Sequence, residues 1–236
     1  KASDPNRIGG RLSMQPYDEP PQQTTGEVTL GLISSQGTLR TPVGKKVSLA
    51  VSARASYFNL IYGHWLITGG TELNYRFFDT NATLAIRPDS LNTITLNAYA
   101  GQDVGRMDEP YYVAAMKARW GNTMGSLTWH LRKHRYSLHQ TLYTTAYANR
   151  FSMAMQEQTY RLPSNITTLG YAGHLALPRW QTGLDIAYHA VQRQKMEQEG
   201  EMHLAPNGTP MQRAAEATAW ADYTQPLSPH FSLALG

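Results

Sequence analysis

The 236-residue sequence contains no cysteine. That excludes a disulfide framework, a zinc ribbon and a thiol nucleophile. Charge is scarce: Asp, Glu, Lys and Arg make up 16% of the chain, against about 25% in an ordinary soluble domain. Long hydrophobic runs are missing as well. No stretch reaches the roughly 18 apolar residues that a membrane-crossing helix needs, and mean hydropathy is −0.45. The net charge is +4, but the basic residues are scattered. The densest group, Arg132, Lys133, His134 and Arg135, falls between two strand-like runs and reads as a solvated turn rather than a nucleic-acid patch. A phosphate loop, a GxSxG elbow and a dinucleotide fingerprint are also absent. No cofactor is implied, and the expectation is a protein that is not an enzyme.

The chain is rich in period-two alternation. From Val47 to Tyr57, Val47, Leu49, Val51, Ala53, Ala55 and Tyr57 fall on one face, and Ser48, Ala50, Ser52, Arg54 and Ser56 on the other, as side chains do on a strand. The run matches the roughly 9–11 residues with which a tilted strand crosses a bilayer. Ile94, Leu96 and Ala98 alternate with Thr95 and Asn97, and Leu127, Trp129 and Leu131 with Ser126, Thr128 and His130. Similar runs cover 168–177, 184–190 and 215–223. The run 71–87 changes phase at Phe77–Phe78, which predicts a β-bulge. Some 10–11 strands are expected by pattern.

Connections alternate between short (42–46, 87–92, 132–136, 178–180, 226–229) and longer (58–70, 102–110, 153–163, 192–212). Outer-membrane barrels have short periplasmic turns and longer extracellular loops. The segment 192–202 reads as a loop rather than a helix. The predicted fold class is therefore all-β, a partial transmembrane antiparallel β-barrel. Val47, Leu49, Val51, Leu96, Leu175 and Ile186 would face lipid. Ser52, Arg54, Asn97, Thr128, His130, Glu216 and Asp222 would face the lumen, and Tyr57, Tyr136, Trp180, Tyr223 and Phe231 would form aromatic girdles. The chain starts at Lys1 without Met and stops in mid-pattern at Gly236, so a segment of a longer protein is expected.

Chemical constellations are sparse. His130, His134 and His139 are spaced by four and five and are expected to diverge around a turn, so no metal site is assigned. Glu197, Glu199, Glu201 and His203, at spacings of two, read as a solvated acidic loop. Tyr62, His64 and Trp65, in the first long connection, are the substrate-binding candidates, because aromatics supply contact area at low entropic cost. The competing reading is that they pack the loop.

The order of motifs resembles one family. Asn6–Ser13 (NRIGGRLS), then Gly26–Lys46 (GEVTLGLISSQGTLRTPVGKK) and VSLAVSARASY, resemble TonB-dependent outer-membrane receptors. Their plug domain ends in an element similar to Gly9-Gly10-Arg11, and their first barrel strands are similar to the segment holding Ser34-Ser35 and Thr41-Pro42. Glu72–Asp103 and Arg119–His130 resemble later barrel strands. The resemblance implies the end of a plug domain and a linker at residues 1–23. It further implies the N-terminal half of a larger, plugged outer-membrane β-barrel at residues 24–236. The implied function is active uptake of a siderophore, cobalamin, glycan or peptide across the bacterial outer membrane. The implied partners are outer-membrane lipid, the TonB complex, the transported ligand and, in some members, a surface lipoprotein. A passive porin, a soluble β-sandwich that binds carbohydrate, and a barrel enzyme are the alternatives.

Overall fold

The computed structural model describes residues 20–63, 67–68, 70–109, 114–155, 158–199, 210–229 and 231–236. The strands are β1 (Thr25–Leu30), β2 (Ser34–Pro42), β3 (Val47–Ser56), β4 (Ile67–Thr68), β5 (Thr71–Ile86), β6 (Asn92–Glu109), β7 (Ala114–Lys133), β8 (Tyr136–Met155), β9 (Gln158–Ala176), β10 (Trp180–Gln192), β11 (Glu197–Glu199), β12 (Gln212–Ser228) and β13 (Phe231–Leu235). One short helix, α1 (Phe58–Tyr62), sits in the first long connection. All strands belong to one sheet, ordered β1-β2-β3-β5-β6-β7-β8-β9-β10-β12-β13, with β4 on β5 and β11 on β9. Each pairing is antiparallel, so the path is an up-and-down meander with β1 and β13 at its edges.

Continuous register carries one face through the whole sheet. Val51 pairs with Ala82, Ala82 with Ala98, Ala98 with Gly125, and Gly125 with Thr144. On this outer face Leu96, Leu127, Leu142, Leu169, Leu184 and Ile186 all stand exposed. The opposite, inner face carries Ser52, Asn97, Thr128 and His130. They bond laterally: Thr83 donates to Asn97 Oδ1 at 2.8 Å, Asn97 donates to Ser126 Oγ at 3.3 Å, and Thr128 and Thr141 hydroxyls lie 3.0 Å apart. Among the described residues Ala85 is the one buried hydrophobic side chain. Among the described residues all strands lie in this one sheet, whereas a sandwich packs two sheets face to face. The core that a soluble domain needs is replaced by an apolar outer surface suited to hydrocarbon, with the backbone paired within the sheet. The protein is a transmembrane antiparallel β-barrel wall of the outer-membrane type.

Two expectations are corrected. The register of β5 is unbroken against both β3 and β6, so there is no bulge at Phe77–Phe78. The irregularity falls between Pro226 and Ser228, opposite edge strand β13, where proline lacks the N–H that a regular ladder uses. The phase change at Phe77 is real but has another cause. From Phe77 upward the two faces exchange polarity. Leu73, Met107, Met116, Met153 and Tyr160 form one continuous inner-face row across β5–β9, while Asn74, Arg106, Lys117, Ser152 and Arg161 form the adjacent outer-face row.

The second correction concerns the connections. Residues 102–109 and most of 153–163 are strand, so only two residues, 156 and 157, separate β8 from β9. A 20-residue strand such as β7 spans about 65 Å at ~3.3 Å per residue. The apolar band of a barrel is only about 25 Å tall. Much of each long strand therefore stands outside hydrocarbon, where an apolar outer face has no role. The segment 192–202, read as loop, contains β11, which pairs with Arg161, Tyr160 and Thr159 of β9.

The end carrying the short turns is cross-braced. Lys46 Nζ donates to the Pro88 carbonyl of the neighbouring turn, and Lys133 lies 5.5 Å from the Tyr136 ring centre. Trp180 and Tyr223, register partners on the outer face, sit 4.8 Å apart at the level where aromatic girdles meet headgroups.

Candidate functional site

The inner face carries two clusters. The first lies where the faces exchange polarity. Arg54 on β3 is the register partner of Asp79 on β5, and its Nη2 and Nε reach Asp79 Oδ2 at 2.7 and 2.8 Å. The pair is uneven in exposure, 48% for Arg54 and 17% for Asp79. Arg54 also lies 5.0 Å from the Phe77 ring centre, within cation–π range. Tyr75 sits 6.1 Å from Phe77 and 6.3 Å from Trp120, the latter near-parallel at 24°, and its hydroxyl donates to the Asp103 carboxylate.

Strand alternation explains the grouping. Tyr75, Phe77 and Asp79 are two apart on β5, and Phe77, Asp103 and Trp120 share one register row. The helix α1 is tied to the same place. Tyr75 N–H donates to Asn59 Oδ1 at 2.6 Å, Asn59 Nδ2 donates to the Leu73 carbonyl at 3.3 Å, and Phe77 N–H donates to Ser56 Oγ at 2.7 Å. An aromatic platform edged by one guanidinium and two carboxylates can stack a ring and orient its polar substituents.

The second cluster lies towards the short-turn end. His130, His139 and His174 on β7, β8 and β9 are successive register partners. Their ring centres are 5.5 and 6.4 Å apart. The row continues through Gly183 to Trp220, whose ring meets His174 edge-on at 5.4 Å. His174 Nε2 lies 3.6 Å from Asp185 Oδ1, and His189 bonds Thr168 Oγ1 at 2.9 Å. The expectation that His130 and His139 diverge is thus overturned. The turn between β7 and β8 is only residues 134–135, so residues whose numbers sum to 269, such as 130 and 139, face each other. Given a two-residue turn at that site, the pairing could have been read from the sequence. His134 lies in the turn, apart from the row. Among the described residues no group of three or more His, Asp or Glu is arranged to hold a metal.

Of the predicted substrate contacts, Tyr62 closes α1 and packs on Phe58, ring centres 5.2 Å apart. His64 and Trp65 lie outside the described residues, as do the Gly9-Gly10-Arg11 element, Glu201 and His203. The Tyr75–Trp120–Asp103 group escaped the sequence reading because its members are 17 to 45 positions apart and meet only through register.

Fold and faces define the class: an outer-membrane-type β-barrel wall with a chemically mixed inner surface. No protein-family model and no curated protein sequence matches the chain. Among solved structures it is similar to the ferric yersiniabactin uptake receptor FyuA from Yersinia pestis, with 11% identity and a TM-score of 0.49 over 85% of this chain and 38% of that one. It is also similar to the outer membrane protease OmpT from Escherichia coli, with 12% identity and a TM-score of 0.30 over 80% of each chain. The chain therefore spans less than half the length of the uptake receptor.

Proposed function

We propose that this chain is part of the barrel of a TonB-dependent transporter in the bacterial outer membrane, taking up a nutrient with a ring-bearing or otherwise apolar portion. Siderophores, cobalamin, glycans and peptides fit that description in part. The observation that carries the reading is the exchange of faces. Above the apolar band the inner surface turns apolar and aromatic, with Tyr75, Phe77, Trp120 and the row containing Met107, Met116 and Met153. A water-filled sieve has no use for such a lining, whereas a binding vestibule does. Methionine adapts to ligands of irregular shape.

In this reading the protein performs transport and no bond chemistry. The ligand first meets Tyr62 and its loop, then the Tyr75–Trp120 platform. The inner face below the platform, including Thr128, His130 and Glu216 with Arg54 at its upper edge, holds a plug through hydrogen bonds and ion pairs. Release is coupled to TonB and the inner-membrane proton gradient, as the resemblance of the opening motifs implies, and a surface lipoprotein is a further partner of the same reading.

The test is growth and radiolabelled uptake on a panel of these nutrients in strains lacking either the gene or TonB. Loss of one and the same uptake in both strains is the expected result. Uptake that persists without TonB and scales linearly with concentration would replace the reading with a passive channel.

A further inference from the structure

The outer face carries a second site at the level where polarity inverts. Arg76, Val104, Arg119, Arg150 and Pro163 are successive register partners from β5 to β9. The next row up holds Arg106, Lys117 and Arg161. Six cations thus occupy two adjacent rows of five strands, and all six are exposed. Carboxylates answer part of this charge: Asp108 Oδ2 lies 2.6 Å from Arg106 Nε, and Glu197 is the register partner of Arg161. Arg119 and Arg150 differ. They face each other directly across β7 and β8; among the described residues Arg150 feels Glu197 only from beyond ion-pair distance, and no carboxylate pairs with Arg119. The one partner shown for Arg119 is neutral, Gln102 Oε1 at 2.9 Å.

Like charges set directly opposite in a sheet destabilise it, so the arrangement is best satisfied by an anion between them. The surface also offers a seat for one. A groove of about 370 Å³ runs between Arg119 and Arg150, bordered by Gln102 and floored by Gly121, Ala146 and Ala148. Small residues let a ligand approach the sheet, and guanidinium pairs match phosphate oxygens in geometry as well as charge. Further down the same face, three outward-facing register rows below the Gly121–Ala148 pair, Leu127 and Leu142 belong to the apolar band.

We infer that this groove binds a phosphate-bearing membrane lipid, its headgroup between Arg119 and Arg150 and its acyl chains lying down the outer face over Leu127 and Leu142. A soluble phosphate would use the arginines alone. The apolar floor leading into the hydrocarbon band is what selects a lipid. The inference rests on the membrane placement in the proposed function, but not on transport.

The test uses the full-length protein in nanodiscs of zwitterionic phospholipid, titrated with a diphosphorylated glycolipid, its dephosphorylated form, or inorganic phosphate. Binding is read by native mass spectrometry. The phosphorylated lipid is expected to bind, and the dephosphorylated lipid about tenfold or more weaker, the equivalent of one charge-assisted contact. Inorganic phosphate at the same concentration should not compete. Both R119Q/R150Q and Ala148→Trp, which fills the groove without touching charge, should weaken the phosphorylated lipid by at least that factor. Equal binding of the two lipids, effective competition by phosphate, or unchanged binding by both variants would overturn the site. Wild-type protein that enters nanodiscs and shows any of these results overturns the lipid site alone. Wild-type protein that cannot enter them overturns the membrane placement as well. Intact lipid binding with TonB-independent uptake overturns only the transport reading.

Discussion

Tyr143 and Gly170 face each other across β8 and β9 on the inner face, with the tyrosine ring lying directly over the glycine. Gly170 is buried beneath it, and a Cβ added there would overlap the ring atoms. An aromatic ring covering a glycine on the neighbouring strand shields the ladder and fixes register. Gly170→Ala should therefore destabilise the barrel by about 1–3 kcal/mol, the usual range for overpacking. Urea-induced unfolding followed by loss of the compact gel mobility would measure it, and an unchanged midpoint would contradict the packing.

Trp220 covers Gly183 in the same manner, yet its indole N–H has no hydrogen-bond partner among the described residues. Trp220→Phe keeps a ring over the glycine and forfeits no hydrogen bond, so it should cost less than about 1.5 kcal/mol, as for other near-isosteric apolar exchanges. Gly183→Ala should cost more than that in the same unfolding experiment. The reverse order would mean that the N–H meets a partner in the assembled barrel.

Depth can be tested with arginine as a probe. Leu142 and Ser152 both point outward on β8, Leu142 opposite Leu127 and Ser152 opposite Lys117. Leu142→Arg should cost about 2–4 kcal/mol, as at a bilayer midplane, and Ser152→Arg about 0–1 kcal/mol, as at an interface. Folding into lipid vesicles along a urea series would give both values. Equal costs would move the hydrocarbon boundary away from the level of the face exchange.

Asp89 organises the turn between β5 and β6. It accepts hydrogen bonds from the Leu91 and Asn92 backbone N–H groups, each at 2.8 Å, and from the Asn92 side chain at 2.9 and 3.0 Å. The Asn92 side chain first, and the Leu91 backbone N–H next, hold its carboxyl below the usual aspartate value. A group whose folded value is depressed stabilises the turn above its unfolded pKa. That contribution is lost as pH falls through the folded value. The Leu91 and Asn92 amide resonances should titrate together with a midpoint below that of an unfolded aspartate. A midpoint at or above it would contradict the bonding.

Much of the wall is legible in the sequence, because a lipid-facing surface and a wet one force strict alternation. Val47–Ala55, Ile94–Ala98 and Leu127–Leu131 lie on the face their pattern assigns. Arg54, Asn97, Thr128 and His130 lie on the other. The same logic misled at Phe77, where an inversion of environment looks like an inserted residue. It also hid the strand character of 102–109 and 158–163, since strands above the bilayer need no apolar outer face. The histidine row and the Tyr75–Trp120 platform depend on which residues sum to the register constant of each hairpin. That constant is set by turn lengths that hydrophobic period alone does not fix.

A sheet that exchanges faces part-way along its strands has only one waterline. Sinking by two residues would draw Arg119 and Arg150 into oil and pull the Trp180–Tyr223 pair off its interface. Rising by two would lift leucines into water while the inner methionine row stayed behind its wall. The wall is therefore held in height as well as in plane. A vestibule built on it keeps a constant distance from the membrane surface, however the bilayer around it thickens or thins.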